Sequence, residues 1–418
     1  MPSFLIKSSV LCVLLGLSLP LASCVAEVGE AESVDTDTGD AEDGKEDGAV
    51  RGTSMRWRRL ASAQSISDLP ELKAGTFRVH NIDVGTGLAV LVQGADFTML
   101  FDGGSADDSS GITSSGANNS RLLAYLFAAL GPSGEAACTP GADDWEREDR
   151  PQIRIDHVFL SHPHEDHVAM LDEVLRCYDV KNVWDSGDNN ARSTYSDFLR
   201  AVSAEPGVIY HNAAGLRPGQ RMQAFGGGTI ALPSHVVAMS ENDEVRLGAR
   251  ASLRFLHVDG RTTDDENLNS SVVRVELGST SMLLTGDVES GPRANPSATL
   301  GQGEKALVEH HAQDLHADIF QVAHHGSSTS SRLEFLELVQ PRIALIGVGP
   351  LPYAGVVLPE ANVISAIKSL ASKPVILRTD LNDRSVTRCA ERGARVDRVG
   401  NDDSRPGGCD NFIIDISR

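Results

Sequence analysis

Apolar residues come in short runs along this chain, each closed by glycine, asparagine or aspartate, and the runs set out the expected elements. Residues 77–92 read as two strand-like stretches split by Gly85-Thr86-Gly87, and Phe97–Phe101 is a third that stops at Asp102-Gly103-Gly104. β-Branched and aromatic runs between turn formers are hairpin signals. Residues 121–131 change to helical spacing between polar inserts, 105–119 and 132–150, that read as loops. The strand 153–160 delivers Ser161-His162-Pro163-His164-Glu165-Asp166-His167, and 168–177 reads as the following helix. A further strand, 180–184, ends in Asp185-Ser186-Gly187-Asp188.

The second half repeats this rhythm. Residues 272–277 and 281–284 pair around Gly278-Ser279, and the second stretch ends in Thr285-Gly286-Asp287. A helix over 304–313 precedes a strand over 318–323 that ends at His324-His325-Gly326. Residues 333–339 and 361–370 have helical spacing, whereas 343–348 and 375–377 are extended. Strands feeding polar loops, with helices between them, predict a sheet-rich α/β domain.

The chain begins differently. Lys7, an apolar run over 10–21 and then Leu21-Ala22-Ser23-Cys24 form the pattern of an export signal. The run is too short to span a membrane comfortably, and no later segment approaches the ~20 apolar residues a spanning helix needs. Leu-Ala-Ser-Cys resembles the bacterial lipobox, which implies a lipidated Cys24 and attachment to a membrane surface facing away from the cytoplasm. Such a protein is an exported cell-envelope lipoprotein. Residues 25–50 then hold ten acids and one base with little that is bulky, so they cannot repay their ordering entropy. We therefore expect a signal peptide at 1–24, a disordered acidic tether at 25–70 and a catalytic domain at 71–418, with regular structure starting near Gly75.

Charge and cysteine usage refine the picture. The formal net charge is −21, but beyond residue 50 the balance is 48 acids against 35 bases, or −13. An acidic body repels nucleic-acid backbones at long range, which argues mildly against duplex binding and leaves any phosphate substrate to be drawn in by a local cation. With Cys12 removed and Cys24 lipidated, Cys138, Cys177, Cys389 and Cys409 remain. An oxidising compartment favours the short-loop disulfides Cys138–Cys177 and Cys389–Cys409 over buried free thiols. No two of these cysteines have zinc-ligand spacing.

In His162-Pro163-His164-Glu165-Asp166-His167, four candidate ligands follow directly on an apolar strand. Extended backbone places alternate side chains on one face, so His162 and His164 can grip one ion. The helical start that follows swings Asp166 and His167 toward a second. Imidazole and carboxylate suit zinc, and also manganese or iron.

This His-x-His-x-Asp-His run resembles the signature of the metallo-beta-lactamase superfamily. Asp83-Val84-Gly85-Thr86-Gly87, Asp102-Gly103-Gly104, Asn269-Ser270-Ser271, Leu284-Thr285-Gly286-Asp287 and His324-His325-Gly326-Ser327 occur in the order seen in the hydrolase domain of ComEC-type competence proteins. The resemblance covers about residues 76–385. It implies a four-layer αββα sandwich of two mixed sheets with outer helices. It also implies two divalent ions, zinc or manganese, with Asp287 bridging them and His325 as a ligand. His324 then faces the substrate or donates a proton, and Asp102 orients a ligand histidine. The superfamily often supplies another histidine where Asp185 stands, so Asp185 is a tentative ligand, the alternative being water. His211, His235 and His257 read as ordinary surface or core histidines.

The implied reaction is hydrolysis by a hydroxide held between the ions and steered by Asp166, on DNA, a nucleotide or a related phosphodiester. Two features depart from the competence-type pattern. Gly85-Thr86-Gly87-Leu88 replaces Gly-Gln-Gly-Asp, and residues 349–355 lack a histidine common near that point. The alternatives are another ester, such as a phosphorylcholine ester, a lactone or a beta-lactam, or a non-catalytic surface-binding lipoprotein.

Overall fold

Alternation along the strands decides how this molecule is layered. The computed structural model describes residues 45, 47–60, 63–104, 120–131, 153–188, 192–261, 265–349, 352–353, 355–381 and 410–417. All of them belong to one compact unit, Asp37–Arg418. The expected signal peptide with Cys24, and Cys138, Cys389 and Cys409, lie outside the described residues; Cys177 is buried.

Strands β1 (Asp47–Ala49), β2 (Met55–Leu60), β3 (Phe77–Asn81), β4 (Val90–Gly94), β5 (Phe97–Phe101), β6 (Arg154–Leu160), β7 (Asp179–Asp185) and β8 (Ile209–Asn212) build one sheet. A small hairpin of β9 (Arg221–Gln223) and β10 (Thr229–Ala231) precedes β11 (Val236–Ala238), the edge strand. The second sheet holds β12 (Glu244–Gly248), β13 (Ala251–His257), β14 (Val272–Leu277), β15 (Thr280–Leu284), β16 (Ile319–Gln321), β17 (Ile343–Ile346) and β18 (Val375–Arg378) in sequential order. The last strand, β19 (Asn411–Ile416), returns to the first sheet between β2 and β3. Both sheets are mixed: β5 to β8 and β15 to β18 run parallel, and the strands before them run antiparallel.

Successive side chains on a strand face opposite ways. Val90, Val92, Met99, Phe101 and Phe159 therefore meet Phe255, Val273, Met282, Leu284 and Leu345 in a core between the sheets. The intervening Leu91, Leu100, Val158 and Leu160 face helices α1 (Ala63–Ser67), α2 (Arg121–Leu130), α4 (Leu171–Cys177) and α5 (Ser193–Ala204), with α3 (Glu165–Val168) inserted before α4. Leu283, Phe320, Ala344 and Ile346 face α6 (Gln302–His311), α7 (Leu333–Val339) and α8 (Ala361–Ser369). The result is the expected αββα sandwich. Several of these helices are too short to hold alone in water, so tertiary packing sustains them. Each fully buried large apolar side chain contributes roughly 1.5–3 kcal/mol.

The start of the domain needs correction. β1 and β2 lie within the stretch read as a tether and begin well before Gly75. Local composition hides them, because their stability is long-range. β2 pairs along its whole length with β19, Trp57 is 1% exposed, and Arg59 sits 5.2 Å over the Phe412 ring with Asp410 at 3.4 Å.

Parallel strands share an orientation, so their carboxyl ends collect at one edge. The loops after β5, β6, β15, β16 and β17 carry Asp102, Ser161–His167, Asp287, His324–His325 and Gly347 there. No described helix is long and apolar enough to cross a membrane.

Candidate metal centre

The chain after β6 turns straight into α3, so Asp166 and His167 sit in the first helical turn while His162 and His164 precede it. Neighbouring backbone clamps this segment. Leu88 N–H donates to Asp166 O at 3.1 Å, Gly103 N–H to His167 O at 2.8 Å, and Met170 N–H to Gly103 O at 2.9 Å. A Cβ on Gly87 or Gly104 would collide with Asp166 O, which explains both glycine turns: the backbones approach too closely for any side chain.

Asp166, His167, Asp287 and His325 each offer a ligand atom, all within 4.8 Å of one another, and all four are buried. His325 Nε2 lies 3.1 Å from Asp166 Oδ2, 3.2 Å from His167 Nε2 and 3.4 Å from Asp287 Oδ2. His167 Nε2 is 3.2 Å from Asp287 Oδ1. Next to this inner group, His162 Nε2 is 2.9 Å from His164 Nδ1 and 4.0 Å from Asp287 Oδ2. Asp287 thus touches both groups. His324 stands at the rim with Nε2 3.8 Å from Asp287 Oδ2, and its Nδ1 faces Thr329 Oγ1 at 2.8 Å and Glu289 at 2.9 Å.

Each ligand imidazole has its far nitrogen committed elsewhere. His167 Nδ1–H donates to Asp102 Oδ2 at 2.8 Å, and His325 Nδ1–H to Gly347 O at 2.6 Å. His162 Nδ1–H donates to Ser161 Oγ at 3.0 Å, which passes its own proton to Asp102 Oδ2 at 2.8 Å. His164 Nε2 lies 2.8 Å from Glu266 Oε2, an ion-pair contact. These partners select the tautomers and turn the remaining nitrogens inward. Two pairs of inward nitrogens then face each other near 3 Å, an arrangement that needs a proton or a metal cation between the lone pairs. The donor set therefore fits divalent metal.

The electrostatics agree. Burial opposes charge on His167, yet Asp287, Asp102 and Asp166 outweigh it and hold its pKa well above the usual value. Burial likewise opposes the rise at His325, which Asp287 and Asp166 nevertheless lift to about 10. Burial alone would raise the Asp287 pKa, but His167 and His325 pull it well below the carboxylate range. Burial, then repulsion from His167 and His164, pushes His162 well below its usual value. A cluster that attracts protons this strongly attracts metal cations by the same field.

Backbone strain gathers at the same edge. Asp102, His324 and His325 have φ of 59°, 51° and 53°, left-handed values that cost roughly 1–3 kcal/mol each outside glycine. Surrounding bonds hold them there. Asp102 N–H donates to Phe159 O, and His324 N–H to Gly286 O.

Asp185 does not join the cluster, contrary to the tentative expectation. Its Oδ2 accepts from Tyr195 and Tyr210 hydroxyls, both at 2.7 Å, and its Oδ1 from Gly187 N–H at 3.0 Å, so its oxygens are committed. His211 stacks on Trp184, His257 faces Glu241, and His235 is exposed. The sequence reading missed Glu266, which follows Asp264-Asp265, and Glu289, two residues after Asp287. It also missed Tyr353, which stacks on His325 with ring centroids 5.1 Å apart, from the stretch noted for lacking a histidine.

Residues 82–349 match the family described as the metallo-beta-lactamase superfamily. Competence protein ComA of Neisseria gonorrhoeae is 30% identical over 146 residues, 35% of this chain and 19% of that protein. Recombination protein 2 of Haemophilus influenzae is 24% identical over 279 residues, 67% of this chain and 25% of that protein. The chain thus spans only a quarter or less of these relatives. Among solved structures, the metallo-beta-lactamase fold protein YhfI from Bacillus subtilis aligns with a TM-score of 0.38 at 12% identity, covering 72% of this chain and 97% of that one. With the ligand run, the shared aspartate and the family match all falling within one sandwich, the chain belongs to the metallo-beta-lactamase superfamily.

Proposed function

We propose that this protein is a metal-dependent phosphodiesterase acting on DNA, a nucleotide or a related phosphate ester at the cell envelope. The observation that carries the reading is the convergence of Asp166, His167, Asp287 and His325 within 4.8 Å, with the His162–His164 pair on the other side of Asp287. His162, His164 and Asp287 would hold one ion, and Asp166, His167, Asp287 and His325 the other. Divalent metal, zinc or manganese, lowers the pKa of water and neutralises charge building on a phosphoryl oxygen.

The chain's own side chains do the rest. Asp166 would steer the attacking water. His324, tied at Nδ1 to Glu289 and Thr329, presents Nε2 at the open rim, where it can hand a proton to the leaving oxygen. Relatives named for competence and recombination favour a nucleic-acid or nucleotide substrate over other esters. The acidic surface favours short or single-stranded forms over a duplex. The lipobox-like Leu21–Cys24 supports a lipid-anchored, exported protein, for which a disulfide at Cys177 would be in keeping with an oxidising compartment.

Turnover of bis-p-nitrophenyl phosphate by wild type and Asp287→Asn tests this reading. Metal-dependent turnover that the substitution abolishes is the expected result. Equal rates in both proteins would overturn it.

A further inference from the structure

One short turn reaches His164, Glu289 and the Asp287 backbone in the outer half of the site. The 3₁₀ turn Glu266–Asn269 follows Asp265, whose side chain accepts from Asn267 N–H and fixes its start. From this turn Glu266 Oε2 faces His164 Nε2 at 2.8 Å, and Arg192 holds the same carboxylate at 3.1 Å. Asn267 Nδ2 donates to Glu289 Oε1 at 3.2 Å, the carboxylate that faces His324. The next residue, Ser270, accepts from the Asp287 backbone N–H at 3.1 Å.

We infer that the 265–270 turn is the positioning element of the outer metal position, and that Glu266 is its decisive residue. The inference rests on the two-ion reading above. The inner group holds four ligands on clamped backbone, whereas the outer one has two imidazoles and a share of Asp287. Ring orientation therefore matters more there. His164 has two usable nitrogens, and only a fixed Nε2–H leaves Nδ1 facing His162 and the ion. Glu266 Oε2 stands 2.8 Å from that nitrogen, where it can take up the proton, and Arg192 at 3.1 Å holds the carboxylate in place. Outer partners of this kind change metal affinity by about 10–100-fold. Glu266 touches neither substrate nor ion in this account; it acts through His164.

The test is metal content and chelator competition on the purified full-length protein, wild type against Glu266→Ala, Glu266→Gln and Arg192→Ala. Wild type is expected to hold two ions per chain. Glu266→Ala is expected to lose one, with its affinity down about 10–100-fold and the retained ion unchanged. Glu266→Gln keeps both, because an amide oxygen in the same place can take up the His164 Nε2–H. Arg192→Ala, half-exposed and harmless to the fold, weakens the same ion by a smaller factor, and it decides the matter if Glu266→Ala does not fold. Two ions with wild-type chelator competition in both alanine variants would overturn the inference and leave the two-ion reading standing. A wild type with fewer than two ions would overturn both.

Discussion

The inner and outer halves of the site share Asp287 but are built by different means. Backbone holds the inner half: Asp166 and His167 sit in a clamped helical turn, His325 in a left-handed segment, and both imidazoles bond to buried partners, Asp102 and Gly347 O. Side chains hold the outer half: His164 is a quarter exposed and leans on Glu266, and His324 leans on Glu289. The contrast implies that substitutions beneath the inner half disturb everything, whereas those around the outer half remove one function at a time.

The largest effect is expected where the halves meet. Asp287→Ala should release both ions and lower kcat/KM by about a thousandfold or more, about 4 kcal/mol, read from metal content and turnover together. Retention of either ion with normal affinity would show that the halves do not depend on a common carboxylate.

A stability effect comes next, beneath the loop that carries His324 and His325. Glu304 is fully buried, accepts from the backbone N–H groups of Ser331 and Arg332, and is pushed up to about 7 by burial. Its pKa in the folded chain lies above the usual 4.5, so the folded state keeps the proton through that window. Stability from this group is therefore greatest below about pH 4.5 and is lost as pH rises toward 7, by on the order of 3 kcal/mol. Glu304→Gln should flatten that slope in denaturant melts, gaining on wild type at pH 8 relative to pH 5. Parallel pH profiles for the two proteins would contradict this assignment.

Asp102→Asn should weaken both ions by about 10–100-fold, because Asp102 reaches His167 directly and His162 through Ser161. Chelator competition that moves only one ion would break the proposed link between the halves. The smallest effect belongs to Glu289→Ala, expected to slow turnover by about tenfold with both ions retained, since His324 loses an orienting partner but keeps Thr329.

The same division governs what could be read in advance. Four ligands within six residues, at the end of a strand, form a pattern too dense to overlook, and the β5, β15 and β16 ends followed from apolar runs closed by Asp102, Asp287 and His324. Glu266 and Glu289 carry no such local mark, because their partners lie far off in the chain. Asp185 misled for a related reason: its local position suits a ligand, but Tyr195 on α5 and Tyr210 on β8 take up its oxygens. The pairing of β2 with β19 joins opposite ends of the chain, so composition near residue 55 pointed to a tether where a strand exists.

Anomalous diffraction at the metal edge, from crystals of the wild-type protein, tests the central claim most directly. The account predicts two peaks flanking Asp287, each roughly 2.0–2.2 Å from its imidazole and carboxylate ligands. Density with no peak among Asp166, His167, Asp287 and His325 would contradict it.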